Sequence, residues 1–425
     1  MKKLAVAGNP IAHSKSPEIF MQLCAASGIK ADYTRLSVKR IEEIFYFAKC
    51  YGISGFNVTS PFKEDVYRLI DICDQPANDV KAVNVMINIK GVFTGYNTDV
   101  YGVTDTLKAQ GVDPCGKKCV VAGSGGASRA AVCALKQLGA DVYIGSRTDN
   151  KAEQISDEFK CGFLKFEHMK KNLKDSYLFI PAVTAIDPDL CSNFPGLIIF
   201  EANYKNPAFR NAPCSKYISG YEWLVNQASK SFELFFKKEA PQLKLKDIVK
   251  KSEDKRIIAL IGPTLSGKTS TGEILAKLLN YEFYDSDAEI EKFCRKDISK
   301  IFQENGEDYF RQIEEKIIEE ILCKNNAVLA IGAGAIQSES TRRVLKEKCF
   351  TILLDADTEL AVSRSQKADI EKRPMLSGGC VYERTGDLFE LRKDNYFSAA
   401  NLIIRSEEPS AEKQAERIIR ELNAG

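Results

Sequence analysis

The chain is poor in histidine: among its 425 residues only His13 and His168 occur, which removes histidine triads and histidine-rich metal sites from consideration. It has no CxxC pair. Its thirteen cysteines, an odd number scattered from Cys24 to Cys380, read as reduced and mostly buried thiols in a chain too long to need disulfide staples. No run of about 18 apolar residues occurs, so no spanning helix is expected. The opening stretch MKKLAVAGNPIAHSKS is interrupted at Gly8, Asn9 and Pro10 before an export-type apolar core develops, and a cytoplasmic location is the expectation. Sixty basic against 58 acidic residues leave a formal charge of +2, too little to steer the chain onto nucleic acid or a membrane. Any anion must be held locally, and the chemistry must come from lysine, aspartate, arginine, backbone amides and bound cofactors.

What is present is ordinary globular material, 44 % hydrophobic and 28 % charged, in a length that predicts two or three domains. Short β-type runs alternate with helical segments: LAVAG at 4–8, VVAG at 120–123, DVYIG at 141–145, IIALIG at 257–262, VLAIG at 328–332 and FTILLD at 350–355. That rhythm predicts an α/β fold built on parallel sheets. The charged, poorly patterned text KKEAPQLKLKDIVKKSEDKR at 237–256 contains the expected linker, assigned to 241–254; its first half also fits a solvated helix closing the preceding unit.

Residues 262–269 spell GPTLSGKT, a complete G-x-x-x-x-G-K-[ST] between the β run IIALI and the helical STGEILAKLL. Gly262, Ser266, Gly267, Lys268, Thr269 and Ser270 are therefore the expected ATP-binding residues. Amides of the glycine-rich turn surround phosphate oxygens, Lys268 adds a point charge, and the Thr269 hydroxyl offers a ligand to Mg²⁺. Downstream, FYDSDAEIE at 283–291, GEDYFRQIEEKII at 306–318, AIGAGAI at 330–336, KRPML at 372–376 and LRKDNY at 391–396 follow in order. Together with the P-loop they resemble shikimate kinase over 255–425. The resemblance implies that Asp285 helps hold Mg²⁺ and that Asp287 grips the acceptor hydroxyls and takes a proton. Arg311 and Arg392 would clamp the shikimate carboxylate, Arg373 would close over the transferring phosphoryl group, and Gly332, Ala333 and Gly334 would line the ring. Where the family has three glycines, the middle one here is Ala333. Taken singly, Asp285 and Asp287 also fit helix-capping acids, and Arg311 with Glu315 a solvated i,i+4 pair.

Residues 123–129, GSGGASR, follow a β run and open the helical AAVCALKQLG, as in a dinucleotide-binding turn built on Gly123, Gly125, Gly126 and Ala127. At the end of the next run stand Ser146, Arg147 and Thr148, with Lys151 a turn later, where an NAD site would place an acid. This set suits a 2′-phosphate, so the expected cofactor is NADP(H). Upstream lie GNPIAHSKSP at 8–17, GFNVTSPFKE at 55–64, AVN at 82–84, GYNTD at 95–99 and, later, GYEWLVNQA at 220–228. With the glycine turn they resemble shikimate dehydrogenase over 1 to about 240. The resemblance implies that Ser14, Ser16, Asn57, Thr59, Asn84, Asp99, Tyr204 and Gln227 bind the substrate's carboxylate and hydroxyls, and that Lys63 and Asp99 are the catalytic pair. An ammonium beside a ketone can protonate the alkoxide formed by hydride delivery while a carboxylate orients it. His13 is expected to be structural.

The implied architecture is a substrate-binding domain (1–101, completed by 218–240), a Rossmann NADP-binding domain (102–217) and a P-loop kinase domain of the nucleoside-monophosphate-kinase type (255–425). The implied function is bifunctional: NADPH-dependent reduction of 3-dehydroshikimate, then ATP·Mg²⁺-dependent phosphorylation of shikimate, two consecutive steps toward aromatic amino acids. The expected partners are these small molecules, without nucleic acid or membrane. One alternative is an active kinase with a degenerate dehydrogenase half. It is motivated by Pro181, Ala182 and Val183 standing where the family has Asn-Ala-Thr; a further departure is Glu201 as the acid ahead of Tyr204.

Overall fold

The computed structural model describes residues 1–183, 185–192, 194–243, 257–363 and 380–423. The expected linker falls mostly outside them, as does Arg373 with the whole of KRPML. Two compact units emerge. One gathers Met1–Pro17, Ala31–Ile53 and the described residues of Lys251–Gly425; the other holds Glu18–Lys30 and the described residues of Ser54–Lys250.

In the first unit, parallel strands run in the order β14 (Glu282–Asp285), β15 (Ala327–Ala330), β13 (Ile257–Ile261), β16 (Cys349–Asp355), β17 (Leu402–Arg405), β2 (Ala31–Ser37) and β1 (Lys2–Gly8). Strand β13, IIALI, between β15 and β16, is buried at every position, as a strand covered on both faces must be. β17 pairs with β16 through Leu353↔Ile403 and, on its other side, with β2 through Ile403↔Leu36. A strand from the kinase-like segment thus hydrogen-bonds to one from the first forty residues. The P-loop follows β13, and Gly267, at φ +84°, turns the chain into helix Lys268–Leu279. Helix Ile298–Ile321 contains the expected 306–318 segment but is broken by non-helical backbone at Gly306, which resets the direction of the turn-by-turn face carrying Arg311.

The second unit has two sheets. In one, β3 (Gly55–Val58), β5 (Val85–Ile89), β6 (Val92–Tyr96) and β4 (Ile72–Cys73) lie side by side in that order, β5 and β6 forming a hairpin. The other is parallel, with the order β12 (Lys216–Ile218), β11 (Ile198–Phe200), β10 (Leu178–Pro181), β7 (Lys118–Ala122), β8 (Asp141–Ser146) and β9 (Gly162–Lys165). From β7 the chain winds outward through β8 and β9, then returns to β10 and winds the other way. The carboxyl ends of β7 and β10 therefore form a topological switch point, where doubly wound sheets bind ligands. The apolar core of this sheet is continuous across Val121, Ile144, Ile180 and Phe200. Helix Asp99–Ala109 packs along helix Gly220–Phe236, which brings the NTD and NQA motifs together. That second helix stops at Phe236, capped by left-handed Lys237, so the charged text after it is not its continuation.

Candidate functional sites

Lys63 opens the short helix Lys63–Leu69 and Asp99 opens helix Asp99–Ala109. Their side chains meet with Lys63 Nζ 2.5 Å from Asp99 Oδ2, and both are largely buried. Asn97 fixes the turn before the aspartate by accepting the Asp99 N–H at 3.1 Å and donating to the Ala82 carbonyl at 2.8 Å. The lysine also borders the glycine turn: a Cβ built on Gly126 would lie 3.3 Å from Lys63 Cδ. The aliphatic stem of the expected catalytic lysine therefore runs against the start of the helix that follows the dinucleotide loop.

A buried amide and hydroxyl network includes Thr98, the residue before Asp99. Asn84 Nδ2 donates to Thr98 Oγ1 at 3.0 Å and to Gln227 Oε1 at 3.4 Å, and Asn57 Nδ2 donates to Ser231 Oγ at 3.2 Å. Thr98 Oγ1 and Ser231 Oγ lie 3.1 Å apart. Asn57, Asn84 and Gln227 are thus brought together, as the motifs imply. Thr98 and Ser231, which join them, are not among the residues the motifs single out. Thr98 stands inside GYNTD and Ser231 follows Gln227 by one helical turn, its hydroxyl donating to the Gln227 carbonyl at 2.8 Å, so spacing carried the signal. Thr59 is half-buried and its carbonyl accepts the Phe62 N–H; Tyr204 packs on Tyr221 with ring centroids 5.1 Å apart. In the other unit, Ser14 and Ser16 are buried, and Ser14 Oγ donates to Ser16 Oγ at 3.2 Å.

At the switch point, a cavity of about 220 Å³ is lined by Gly123, Ser124, Gly125, Ser146, Arg147, Thr148, Ala182 and Val183. Gly123 has φ +128°, and a Cβ there would lie 2.4 Å from Ser128 Oγ and 2.7 Å from the Ala182 carbonyl oxygen; only glycine fits. Ser146 Oγ donates to Ser124 Oγ at 3.1 Å, tying the ends of the two βα turns together. Lys151 is exposed on the first turn of helix Asp149–Phe159, and Ala127 follows Gly126 inside helix Gly126–Gln137. This cradle with an arginine and two hydroxyl residues fits a dinucleotide carrying an extra phosphate. Pro181 ends β10, and Ala182 and Val183 give the cavity an apolar wall. Glu201 acts locally, accepting the Ala208 N–H at 2.6 Å, the Phe209 N–H at 3.2 Å and the Tyr217 hydroxyl at 2.9 Å.

The kinase-like segment encloses a cavity of about 640 Å³ between the P-loop, Asp285, Asp287, Arg311, Glu314, the Gly332–Gly334 turn and Arg392. Ser266, Gly267, Lys268, Thr269 and Ser270 line it, while the Gly262 carbonyl accepts Lys268 Nζ at 3.0 Å. Thr269 Oγ1 donates to Asp285 Oδ2 at 2.7 Å, and Asp285 Oδ1 accepts the Asp287 N–H at 3.0 Å. Asp285 is both a helix cap and one of a pair of neighbouring oxygens of the hard type that Mg²⁺ takes. Arg311 pairs with Glu307 at 3.0 Å and Glu314 at 2.5 Å, so its helical partners are these and not the Glu315 that i,i+4 spacing suggests. Arg392 is buried, with Nη1 3.4 Å from the Ala333 carbonyl and a buried Nε that has no partner among the described residues. Both arginines face one cavity.

Glu314 is a functional neighbour that sequence reasoning misses, because a glutamate within EEK on a helix reads as solvated. It is 2 % exposed. Burial pushes its pKa up from the usual value to about 7, with Asp287 adding to the rise and Arg311 opposing it. The glycine turn explains the tolerance of Ala333. A Cβ on Gly332 would lie 2.5 Å from Asp287 Oδ1 and one on Gly334 2.4 Å from Arg311 Nη2, whereas Ala333 between them has no left-handed backbone.

Two family models match the chain, the shikimate dehydrogenase substrate binding domain at residues 6–86 and shikimate kinase at 265–423. A shikimate dehydrogenase (NADP(+)) of Caldanaerobacter subterraneus subsp. tengcongensis is 33 % identical over 256 residues, 55 % of this chain and 91 % of the relative. A shikimate kinase of Mannheimia succiniciproducens is 41 % identical over 167 residues, 39 % of this chain and 94 % of the relative. The chain belongs to both families. It is a bifunctional shikimate-pathway enzyme, a dehydrogenase and a kinase in one polypeptide. Among solved structures, the shikimate dehydrogenase of Aquifex aeolicus is similar at TM-score 0.53 and 26 % identity, covering 59 % of this chain and 98 % of that one. The shikimate 5-dehydrogenase of Listeria monocytogenes, in complex with shikimate and NAD, is similar at TM-score 0.51 and 25 % identity, with 58 % and 95 % covered.

Proposed function

We propose that the chain reduces 3-dehydroshikimate to shikimate with NADPH and then phosphorylates the 3-hydroxyl of shikimate with ATP and Mg²⁺. When bound, NADPH supplies the hydride, ATP the phosphoryl group and Mg²⁺ charge neutralisation. Lys63 Nζ holds the proton given to the oxygen of the reduced carbonyl, and Asp99 orients the ammonium. Asn57, Asn84 and Gln227 hold the ring hydroxyls, Ser14 and Ser16 the carboxylate. Thr59 and Tyr204 complete that set, while Arg147, with Ser146, Thr148 and Lys151, reads the 2′-phosphate. In the kinase, Arg311 and Arg392 grip the carboxylate, Asp287 accepts the proton of the attacking hydroxyl, and Lys268 and Arg373 oppose the charge of the phosphoryl oxygens. Thr269 and Asp285 hold the metal. The domain division, substrate 1–101 with 218–240, Rossmann 102–217 and kinase 255–425, and a cytoplasmic location belong to the same reading.

The observation that carries it is the Lys63–Asp99 pair against Gly126, a proton donor placed beside a dinucleotide loop. Incubating the chain with 3-dehydroshikimate, NADPH, ATP and Mg²⁺ should yield shikimate 3-phosphate by mass. The apolar wall at Ala182 and Val183 favours a second reading, a working kinase with an inactive dehydrogenase half. Shikimate phosphorylation without any NADPH consumption would decide for it.

A further inference from the structure

The loop that carries Ser14 and Ser16 is held on one flank by a residue of the kinase segment and on the other by a residue of β2. Ser14 closes a turn by donating its N–H to the Ile11 carbonyl at 2.9 Å. The preceding amides, Ile11 N–H and Ala12 N–H, donate to Glu421 Oε2 at 2.7 and 3.1 Å. Glu421 lies near the end of helix Ala411–Asn423 and is 2 % exposed. The other flank of the loop is held by Arg35 on β2, whose Nε and Nη2 donate to the Ser14 carbonyl at 2.9 and 2.6 Å. Arg35 Nη1 also reaches the Asn401 carbonyl, next to β17, at 3.4 Å. One turn back from Glu421, Arg417 donates to the carbonyls of Ser37 at 3.0 Å and Arg405 at 3.2 Å, locking the same helix against both β2 and β17.

We propose that Glu421 is a positioning residue of the dehydrogenase: from the last helix of the kinase segment, its carboxylate sets the conformation of the loop that presents Ser14 and Ser16 to the substrate's carboxylate. The inference rests on the reading of those serines as substrate ligands. A buried carboxylate accepting two amides is a strong acceptor. Its removal leaves the buried Ile11 N–H and the part-buried Ala12 N–H without their acceptor, which the loop relieves by moving toward water. Because Lys63 and Asp99 belong to other segments, the loss falls on substrate affinity and not on the proton-transfer step.

The test uses the full chain with Glu421→Ala and Glu421→Gln. Glu421→Ala should raise KM for 3-dehydroshikimate about tenfold, the size of one lost charge-assisted hydrogen bond, with kcat near wild type. The kinase KM for shikimate and for ATP should stay at wild-type values. Glu421→Gln keeps an uncharged acceptor and should give an intermediate rise, which a purely structural role would not produce in a protein of unchanged melting temperature. Unaltered KM in folded Glu421→Ala overturns the inference. If that variant does not fold, unaltered KM in Glu421→Gln overturns it. A wild-type chain that consumes no NADPH instead removes the dehydrogenase reading itself, and the inference with it.

Discussion

Lys63 and Lys268 carry the same charge into different chemistry, and substitution separates them. Lys63→Ala should lower NADPH-dependent reduction by about 10²- to 10⁴-fold, the range for a positioned acid, and leave phosphorylation intact. Lys268→Ala should abolish phosphorylation and leave reduction intact; steady-state assays of both reactions on each variant check this. Glu314 gives the kinase a pH signature. Below about pH 7 it is largely protonated, and on the proposed reading of Arg311 as a clamp for the shikimate carboxylate, the ionised Glu314 would compete for that arginine. KM for shikimate should therefore rise between about pH 6 and pH 8, and Glu314→Gln should flatten the rise. Stability follows the same proton. A carboxyl group raised from 4.5 to about 7 on folding stabilises the folded chain below its unfolded pKa, and this contribution is lost as pH rises through 7. The melting temperature of Glu314→Gln should accordingly gain on wild type from about pH 5 to about pH 8. Residues in dense local motifs, Lys63, Asp99 and the P-loop among them, are legible because chemistry and turn geometry are written together there. Glu314 is not, since burial of a glutamate depends on which helix face meets a glycine turn distant in sequence.

Among the elements, all six β-type runs read from the sequence are strands, because parallel strands covered on both faces are nearly continuous apolar text. The break at Gly306 is invisible in the sequence, since a glycine within an otherwise helical pattern can also be accommodated without one. On the proposed reading, Arg147 at the end of β8 selects the cofactor. Arg147→Glu should raise KM for NADPH roughly 10- to 100-fold through loss of a charge-assisted contact and gain of repulsion, with a smaller effect on NADH. Glu201, which the sequence shows as the acid ahead of Tyr204, proves to be a staple for the 208–209 backbone, a role its sequence neighbours do not announce because its partners there are main-chain amides.

The whole molecule departs furthest from a chain read left to right. Motif order suggests a substrate domain at 1–101 completed by 218–240, a Rossmann domain at 102–217 and a kinase domain at 255–425, yet Met1–Pro17 and Ala31–Ile53 cluster with the kinase segment. Nothing in LIIR at 402–405 or in ADYTRLS at 31–37 specifies that they pair, because pairing of strands more than 360 residues apart is a property of register and twist and not of composition. The β17–β2 ladder has a further consequence for anyone wishing to separate the activities. Cutting the polypeptide between them would leave each fragment with a naked sheet margin of open N–H and C=O groups, a template for self-association. Fragments expressed apart should form higher oligomers on size-exclusion chromatography and recover monodispersity when mixed, so the joint acts as a built-in guard against aggregation.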